Sequence, residues 1–242
     1  EKVLGAGVCA ACGACVSLCP YLRTFRGRVV KLHDCDLTEG RCYAYCPRTE
    51  VDLDALHRHV FGIPYQSVEM GPVRRAWMAR AREPFWRERA QTGGVVSALM
   101  DVALQKGMIR AGLLTRRDRD FLPRGQIVRD REGILACAGS GYVSGPTLEA
   151  LHLGPWEEGE DIGMVGLPCQ VLALSRMKAS TLERRPPVDR VKLVIGLFCT
   201  WALDYAPFTA FLKERFGSAS ITRRASPSSV KPMTKSSAYR IR

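Results

Sequence analysis

Four cysteines near the N-terminus carry the clearest chemical signal of the sequence. The stretch "CAACGACVSLCP" spaces them as C-x2-C-x2-C-x3-C and ends with a proline; they are Cys9, Cys12, Cys15 and Cys19. Two-residue spacers let a tight loop wrap three thiolates around one corner of an iron-sulfur cubane, and the alanines and Gly13 allow close backbone approach. The spacing predicts ligands of a [4Fe-4S] cluster. Structural zinc, which takes two separated Cys-x2-Cys pairs, is the weaker alternative.

A second group of cysteines repeats the ending of the first. It consists of Cys35, Cys42 and Cys46, with Pro47 after the last. In two-cluster bacterial ferredoxins the fourth cysteine of such a run binds the other cluster, so an internal duplication pairs the two halves crosswise. The first cluster then takes Cys9, Cys12, Cys15 and Cys46. The second takes Cys19, Cys35 and Cys42 and is one thiolate short.

Three interpretations of the missing fourth ligand stay open. The cluster takes an oxygen or nitrogen ligand from His33, Asp34 or Asp36; or a [3Fe-4S] cluster forms on three thiolates; or the site is empty. We favour an occupied and labile site, because Gly40, Arg41 and "YCP" preserve the ending of the loop.

The segment between the cysteines and the rest of the chain divides into a helix and a basic stretch. "EVDLDALHRHVFG" predicts a short helix with an aspartate at its N-terminus and Gly62 at its end, and a linker follows to residue 73. Six arginines lie among residues 74–89, interleaved with Trp77 and Trp86. Two interpretations of this stretch stay open. It forms a cationic rim that binds phosphate or an acidic partner, or it is a solvated face that covers a strand around Ala76 and Met78.

Residues 74–217 alternate β-rich apolar runs with helical patterns. "RAQTGGVVSALMDVALQKG" places a glycine turn before an apolar helix, a position where backbone N–H groups can approach a phosphate or flavin. Two later runs repeat strand, turn and helix, with Cys169 and Cys199 in their turns, whereas Cys137 is expected to be an ordinary buried thiol. The pattern predicts an α/β domain with a sheet buried on both faces.

Four stretches of this region resemble a known family. They are "QTGGVVSALM", "ACAGSGYVSGPTLEAL", "GLPCQVLALSRM" and "VIGLFCTWAL". Together they resemble the beta subunits of coenzyme F420-reducing hydrogenases and dehydrogenases, with relatives in formate dehydrogenases and 7-hydroxymethyl chlorophyll a reductase. Several members carry an N-terminal two-cluster ferredoxin module, which residues 1–50 resemble.

The resemblance implies an iron-sulfur flavoprotein oxidoreductase subunit. FAD would accept a hydride from a two-electron donor and release single electrons into [4Fe-4S] clusters; deazaflavin F420, NAD(P)H and ferredoxin are the candidate electron partners, and other redox subunits are expected. The implied flavin contacts are Thr92, Gly93, Gly94, Val95, Ser97, Ser140, Gly141, Tyr142 and Ser144. Cys169 and Cys199 would ligate a third cluster, and no catalytic acid or base is assigned.

The end of the chain departs from the family pattern. Residues 218–242 hold six Lys or Arg and no acidic residue, and no cysteine follows Cys199. We expect a disordered basic tail, an incomplete third cluster, and a truncated chain that is inactive by itself; a natural short variant is the alternative. The predicted organisation is a ferredoxin-like module (1–50), helix and linker (51–73), flavin domain (74–217) and tail (218–242), an α+β and α/β architecture.

Composition narrows the function classes further. The formal net charge is +12, but half of this excess lies in the last 25 residues, and the sequence shows no aromatic stacking platform and no nucleic-acid-binding module. We therefore do not expect nucleic acid as a partner. No apolar run of membrane-spanning length and no secretory leader pattern occur, so we expect a cytoplasmic protein without a membrane span. The rival function is a non-catalytic, ferredoxin-like electron-transfer subunit that lacks flavin.

Overall fold

The strands in the described part of the chain form two separate sheets. The computed structural model describes residues 2–66, 71–117, 121–182 and 187–217, so the predicted tail lies outside the described residues. A two-stranded hairpin follows the first cysteine run, and a four-stranded sheet has the order β4-β3-β5-β6. The strands are β1 (Leu22–Phe25), β2 (Arg28–Lys31), β3 (Ala111–Arg117), β4 (Pro123–Val128), β5 (Ile162–Gly166) and β6 (Val191–Gly196).

The helices are short in the N-terminal part and longer around the sheet. They are α1 (Arg41–Ala44), α2 (Leu53–Phe61), α3 (Pro84–Arg89), α4 (Val95–Gln105), α5 (Arg131–Ala136), α6 (Glu149–Leu153), α7 (Pro168–Ala179) and α8 (Tyr205–Phe216). None of the helices in the described ranges is long and apolar enough to cross a membrane.

The β1–β2 hairpin closes through a two-residue turn. Arg26 and Gly27 both have positive φ angles, 48° and 77°, which is the geometry whose twist matches that of the flanking antiparallel strands. Its inner face forms a small core with the cysteine run: Val16, Leu22 and Val29 are buried, and Cys9, Cys15 and Cys19 pack against them. The hairpin therefore supports the loop that carries the thiols.

The four-stranded sheet has helices on both faces. Strands β3, β5 and β6 are parallel and β4 is antiparallel. Helices α4 and α5 contact β3 on one side, where Met100, Ile109 and Ile134 are buried, and α7 contacts β5 and β6. This confirms the predicted mixed α/β class. Strand β5 is almost wholly buried, as expected, but β6 exposes alternate residues, so the expectation of a fully buried sheet is wrong at that edge.

The cysteine run and the sheet share one hydrophobic core. Cys12, Ala14 and Leu18 are buried in the same cluster as Leu113, Met164 and Leu174 of the sheet and α7. Backbone hydrogen bonding continues the packing, since Leu148 donates its N–H to the carbonyl of Cys12 at 3.1 Å. The ring of His152 on α6 donates from Nε2 to the carbonyl of Ala14 at 3.0 Å. The thiol-bearing loop is thus fixed to the α/β part of the chain.

Residues 51–80 connect the cysteine-containing part to the sheet, and the structure confirms the helix predicted there but not the strand. The predicted helix is α2: Asp52 caps it by accepting from the N–H of Ala55 at 2.9 Å, and Gly62 ends it in the left-handed conformation. Of the two interpretations of the basic stretch, the one that placed a strand around Ala76 and Met78 is wrong about the strand, because residues 73–80 contain none. Met78 is fully exposed there, so its apolar side chain does not mark a buried face.

We expect Gly13→Ala to destabilise the fold more than Gly7→Ala. Both glycines have positive φ, 87° and 69°, so alanine costs roughly 1–2 kcal/mol of backbone strain at either position. A Cβ at position 13 would also lie 2.7 Å from the backbone of Pro146 and Glu149, whereas position 7 has nothing within 4 Å. Overpacking should add about 1–3 kcal/mol at Gly13 only. Thermal unfolding of the iron-loaded chain measures both, and equal losses would contradict the tight docking described here.

Candidate functional site

The structure brings four thiols of the N-terminal part into one group. Each thiol of this group lies close enough to the other three for their charges to interact; its members are Cys9, Cys12, Cys15 and Cys46. No three Cys, His, Asp or Glu side chains in the described ranges converge tightly enough for a single metal ion. A [4Fe-4S] cluster binds each thiolate to a different iron atom, so its ligands surround a larger volume than those of one ion. We call these four residues the first thiol group.

The backbone of the cysteine run is shaped as a cradle. Ala11, Gly13 and Ser17 have positive φ angles of 50°, 87° and 64°, two of them at non-glycine residues, where this conformation is strained. Alternating left-handed residues point successive N–H groups into a concavity, an arrangement that many iron-sulfur sites use. The N–H of Ala11 donates to Sγ of Cys9, and the N–H of Arg48 to Sγ of Cys46, both at 3.4 Å. These residues fit an iron-sulfur cluster.

Burial makes these thiols poor acids until a metal binds. Burial raises the pKa of Cys12 to about 12, and it raises the pKa values of Cys9 and Cys15 as well; the neighbouring thiols add to each shift. A cluster ligand must be a thiolate, so iron that binds here would have to displace these protons, and its positive charge would replace the solvation that burial removes. Loading of the first thiol group with iron would therefore be coupled to proton release.

Two arginines place positive charge beside the first thiol group. Arg48 lies near Cys9 and also near Cys169, and in both cases its charge favours the thiolate. Arg176 on α7 has its charge near Cys46 and donates to the carbonyls of Ala44 at 2.8 Å and Thr49 at 3.3 Å. These contacts hold the loop around Cys46 against α7 and offset part of the negative charge that a reduced cluster would carry.

Cys42 is the centre of a second, more open group. Its thiol interacts with those of Cys19 and Cys35, and burial is the main cause that raises its pKa. Cys35 and Cys42 are exposed, in contrast to Cys12. Cys15 lies near Cys42 as well, so the two groups adjoin. We call Cys19, Cys35 and Cys42 the second thiol group.

The three side chains considered as a fourth ligand all lie on the surface. His33, Asp34 and Asp36 are exposed. Asp34 accepts a hydrogen bond from Nζ of Lys31 at 2.6 Å, which lowers the pKa of that carboxyl, and His33 makes an edge contact with the ring of Tyr21. Asp34 and His33 therefore already have other contacts, which a role as the fourth ligand would have to replace.

Cys169 and Cys199 lie close together beside the ends of parallel strands. Cys169 is the second residue of α7, directly after β5, and Cys199 follows β6. Burial raises the pKa of Cys169, and the nearby Cys199 thiol adds to that shift. Cys169 is also near Cys12, so these two residues adjoin the first thiol group. A continuous line of neighbouring thiols thus runs from Cys199 to the second thiol group.

A cavity of about 460 Å³ opens at the carboxyl ends of β3, β5 and β6. Cofactor sites of α/β proteins are typically found at this edge of the sheet, with volumes of roughly 300–1,000 Å³. Cys199 lies in the wall of the cavity, together with the aromatic side chains of Tyr142, Phe198 and Trp201. Tyr142 and Trp201 stack with their ring centroids 5.7 Å apart.

The cavity gathers most of the residues predicted to contact flavin. Those in its wall are Thr92, Gly94, Val95, Ser97, Ser140, Gly141 and Tyr142. Gly93 and Ser144 are outside the wall: Gly93 packs against the backbone of Ala79 and Arg80, and Ser144 bonds to the carbonyl of Leu203. Their expected flavin contacts are therefore not supported by position, because both residues hold neighbouring segments together.

Helix α4 opens directly into the cavity. Its N-cap residue is Gly94, which offers no side chain to bond the free N–H groups of the first turn, and the first three helical residues line the wall. Gly94 has a φ of 71°, and a Cβ there would lie 2.7 Å from the carbonyl oxygen of Trp86. A substitution at Gly94 would therefore disturb the fold before it reported on a cofactor.

A buried polar network fixes the floor of the cavity. Gln170 is 3% exposed; its Nε2 donates to the carbonyl of Gly145 at 3.1 Å and to Oγ1 of Thr147 at 2.9 Å. Its Oε1 accepts the N–H of Leu167 at 2.9 Å, and Thr147 bonds Thr115 on β3 at 2.6 Å. The network joins β3, the loop after residue 140 and the start of α7, and so positions Cys169 relative to the cavity.

Sequence reasoning missed several residues of the cavity wall. They include Gln91, Arg117, Cys137, Gln170, Phe198 and Trp201. Phe198 and Trp201 flank Cys199 directly, so they could have been inferred from that cysteine. Arg117 had no local signal, because it enters the cavity only through the pairing of β3 within the sheet.

A mixed α/β fold with thiols gathered beside a cavity is typical of redox proteins. Residues 76–152 match the N-terminal profile of the coenzyme F420 hydrogenase/dehydrogenase beta subunit family, and residues 159–223 match its C-terminal profile. Together these ranges cover more than half of the chain. The chain belongs to the family of coenzyme F420 hydrogenase/dehydrogenase beta subunits.

Individual relatives agree with this assignment. The chain is 27% identical over 226 residues to a coenzyme F420-dependent sulfite reductase of Methanocaldococcus jannaschii, covering 85% of this chain and 32% of that protein. It is 25% identical over 150 residues to the coenzyme F420 hydrogenase subunit beta of Methanothermobacter thermautotrophicus, covering 61% and 53%. A solved chain of the F420-reducing [NiFe] hydrogenase complex of Methanosarcina barkeri superposes with a TM-score of 0.52 and 26% identity, covering 56% and 47%.

The chain spans only part of the length of these relatives, from about a third to just under two thirds of the curated proteins it matches. These matches therefore assign the family, and the activity, substrates and partners of the full-length relatives are not transferred to this chain by similarity alone.

We expect Cys12→Ser to remove about one cluster's iron from the anaerobically purified chain. Cys12 lies at the centre of the first thiol group and is buried, so a serine hydroxyl would leave one iron without its thiolate. Cys137→Ser is the matched control, because Cys137 interacts with Arg116 and with none of the thiol groups. Iron content and the EPR spectrum of the reduced protein are the measurements. Unchanged iron in Cys12→Ser would refute the first thiol group as a ligand set.

The second thiol group should be the site that air damages first. It offers three thiolates, two of them exposed, so one iron is open to solvent or to an oxygen ligand. Brief exposure to air should give a [3Fe-4S] EPR signal in the wild-type chain, and the signal should be lost in Cys42→Ser. A signal of equal size in Cys42→Ser, or full retention of iron in air, would contradict this assignment.

Proposed function

We propose that this chain is an iron-sulfur flavoprotein subunit that passes electrons between a soluble two-electron carrier and iron-sulfur clusters. Deazaflavin F420 is the first candidate carrier, because the named relatives include F420-dependent enzymes. NAD(P)H and ferredoxin are the alternatives. Other redox subunits are the expected partners, since one relative is a subunit of a hydrogenase complex.

The single observation that carries this proposal is the line of thiols that starts at the cavity. Cys199 lies in the cavity wall and next to Cys169, which adjoins Cys12 of the first thiol group. The second thiol group adjoins the first through Cys15 and Cys42. An electron that leaves the cavity therefore meets sulfur ligands in sequence until it reaches the exposed thiols of the second group.

The cavity is the proposed site for FAD. Bound FAD would supply the exchange between two-electron and one-electron chemistry that such a subunit needs. The chain would bind the cofactor with the turn that leads into α4 and the first turn of that helix, from Thr92 to Ser97, and with the loop that holds Ser140, Gly141 and Tyr142. The stacked rings of Tyr142 and Trp201, in the same wall as Cys199, would offer flat apolar surfaces to the ring system of the cofactor.

The proposed iron-sulfur content is two clusters in residues 1–50 and a third site beside Cys169 and Cys199. The first thiol group supplies four ligands to one [4Fe-4S] cluster. The second supplies three, for a [4Fe-4S] or [3Fe-4S] cluster. Arg48, between Cys9 and Cys169, would stabilise negative charge at the junction of the first and third sites.

A non-catalytic electron-transfer subunit without flavin is the second candidate. A ferredoxin-like subunit needs a cluster near its surface to exchange electrons with a partner. The exposure of Cys35 and Cys42 is consistent with this second candidate. It leaves the cavity without a role, which is why we place it second.

Filling the cavity distinguishes the two candidates. Ser97→Phe puts a ring into the cavity wall, whereas Leu99→Phe, on the same helix and half exposed, lies outside it. The wild-type chain purified without oxygen should contain FAD, and reduced F420 should bleach the flavin band. Overpacking should lower FAD affinity in Ser97→Phe by about tenfold or more and leave Leu99→Phe unchanged. A wild-type chain that loads iron but binds no flavin would instead support the non-catalytic subunit.

A further inference from the structure

We propose that Arg117 is the anion-binding residue of the cavity and that it holds the pyrophosphate group of the flavin dinucleotide. The inference rests on the proposed function and specifies which part of the ligand the end of β3 recognises. Arg117 is the last residue of β3, and its side chain forms part of the cavity wall.

Arg117 is the one charged residue among the described residues that line the cavity. Within the described ranges its guanidinium forms no ion pair with a carboxylate, and the residue that interacts with its charge is Tyr142. Partial burial lowers the pKa of Arg117, although the residue as a whole remains exposed to the opening. A cavity whose described wall carries one cation and no carboxylate attracts a negatively charged ligand, so the cavity is suited to an anion.

The loop beside Arg117 allows close approach of a phosphate. A Cβ on Gly141 would lie 2.7 Å from Cδ of Arg117, and one on Gly139 would lie 3.1 Å from its terminal nitrogen. The guanidinium therefore extends along this glycine-containing loop, which also carries Ser140. Two parallel N–H donors of a guanidinium match two phosphate oxygens, and a serine hydroxyl can add a third donor.

The N-terminus of α4 opens into the same cavity and adds positive potential. Its first turn has free N–H groups and no side-chain cap. The chain thus directs two features of positive sign into one cavity whose described wall holds no carboxylate. The aromatic side chains of Phe198 and Trp201 flank Cys199 instead, and they suit the uncharged ring system that must exchange electrons with the thiols.

The test compares FAD with riboflavin, which has the same ring system and no phosphate. Affinities are measured by quenching of flavin fluorescence in the full chain after cluster loading and flavin depletion. Arg117→Gln should weaken FAD binding about ten- to a hundredfold, the loss of one charge-assisted pair, and change riboflavin affinity by less than about threefold. Arg116→Gln is the matched control, since Arg116 precedes Arg117 on β3 and is not part of the described wall.

The outcomes separate this inference from the proposed function. Equal losses for FAD and riboflavin in Arg117→Gln, or no loss for either, would overturn the assignment of the pyrophosphate. If Arg117→Gln does not fold, Arg117→Lys keeps the charge but not the paired donors, and it should weaken FAD binding several-fold with riboflavin unchanged. Equal effects on the two flavins there would overturn the assignment as well. A wild-type chain that binds neither flavin would refute the proposed function itself.

Discussion

The packing of Cys12 into the core of the α/β sheet is the interaction on which the rest of the site depends. The loop that carries the first thiol group has little regular structure of its own, so its shape comes from what it touches. The N–H of Leu148 bonds the carbonyl of Cys12, and α6 and α7 cover the adjoining apolar residues. Because Cys169 is the second residue of the same α7, one packing contact sets the separation between the N-terminal thiols and the cavity.

The cavity owes its position to the ends of parallel strands. Strands β3, β5 and β6 end at the same edge of the sheet, where the chain must turn into loops and helices. From a buried position Gln170 makes three hydrogen bonds, two to the loop at Gly145 and Thr147 and one to Leu167 after β5, and its loss would leave several polar groups without partners. The cavity is therefore held by hydrogen bonds as well as by apolar packing, and these give it a defined geometry for a rigid ligand.

Local features of this molecule could be predicted from the sequence, and features that depend on tertiary packing could not. Cysteine spacing, the cap of α2 at Asp52 and the alternation of strand and helix are encoded within short stretches. The apolar residues around Met78 resemble a strand, but none of the described strands pairs with them, and Trp77 and Met78 are exposed. Arg117 is the opposite case: nothing in its local sequence predicts a functional role, because its proposed role depends on a cavity that only the assembled sheet creates.

The burial of Cys12 also constrains how the N-terminal part can function. In an isolated two-cluster ferredoxin, every cluster ligand is supported by the small module itself. Here the thiol whose pKa rises to about 12 is desolvated partly by residues far along the chain, such as Met164 and Leu174. Iron binding at the proposed cluster and docking onto the sheet would therefore stabilise each other, since the docked thiol needs the metal's charge and the cluster needs the docked geometry. In the proposed subunit, residues 1–50 would then act as one redox unit with the α/β part, even though their cysteine spacing resembles that of an independent ferredoxin.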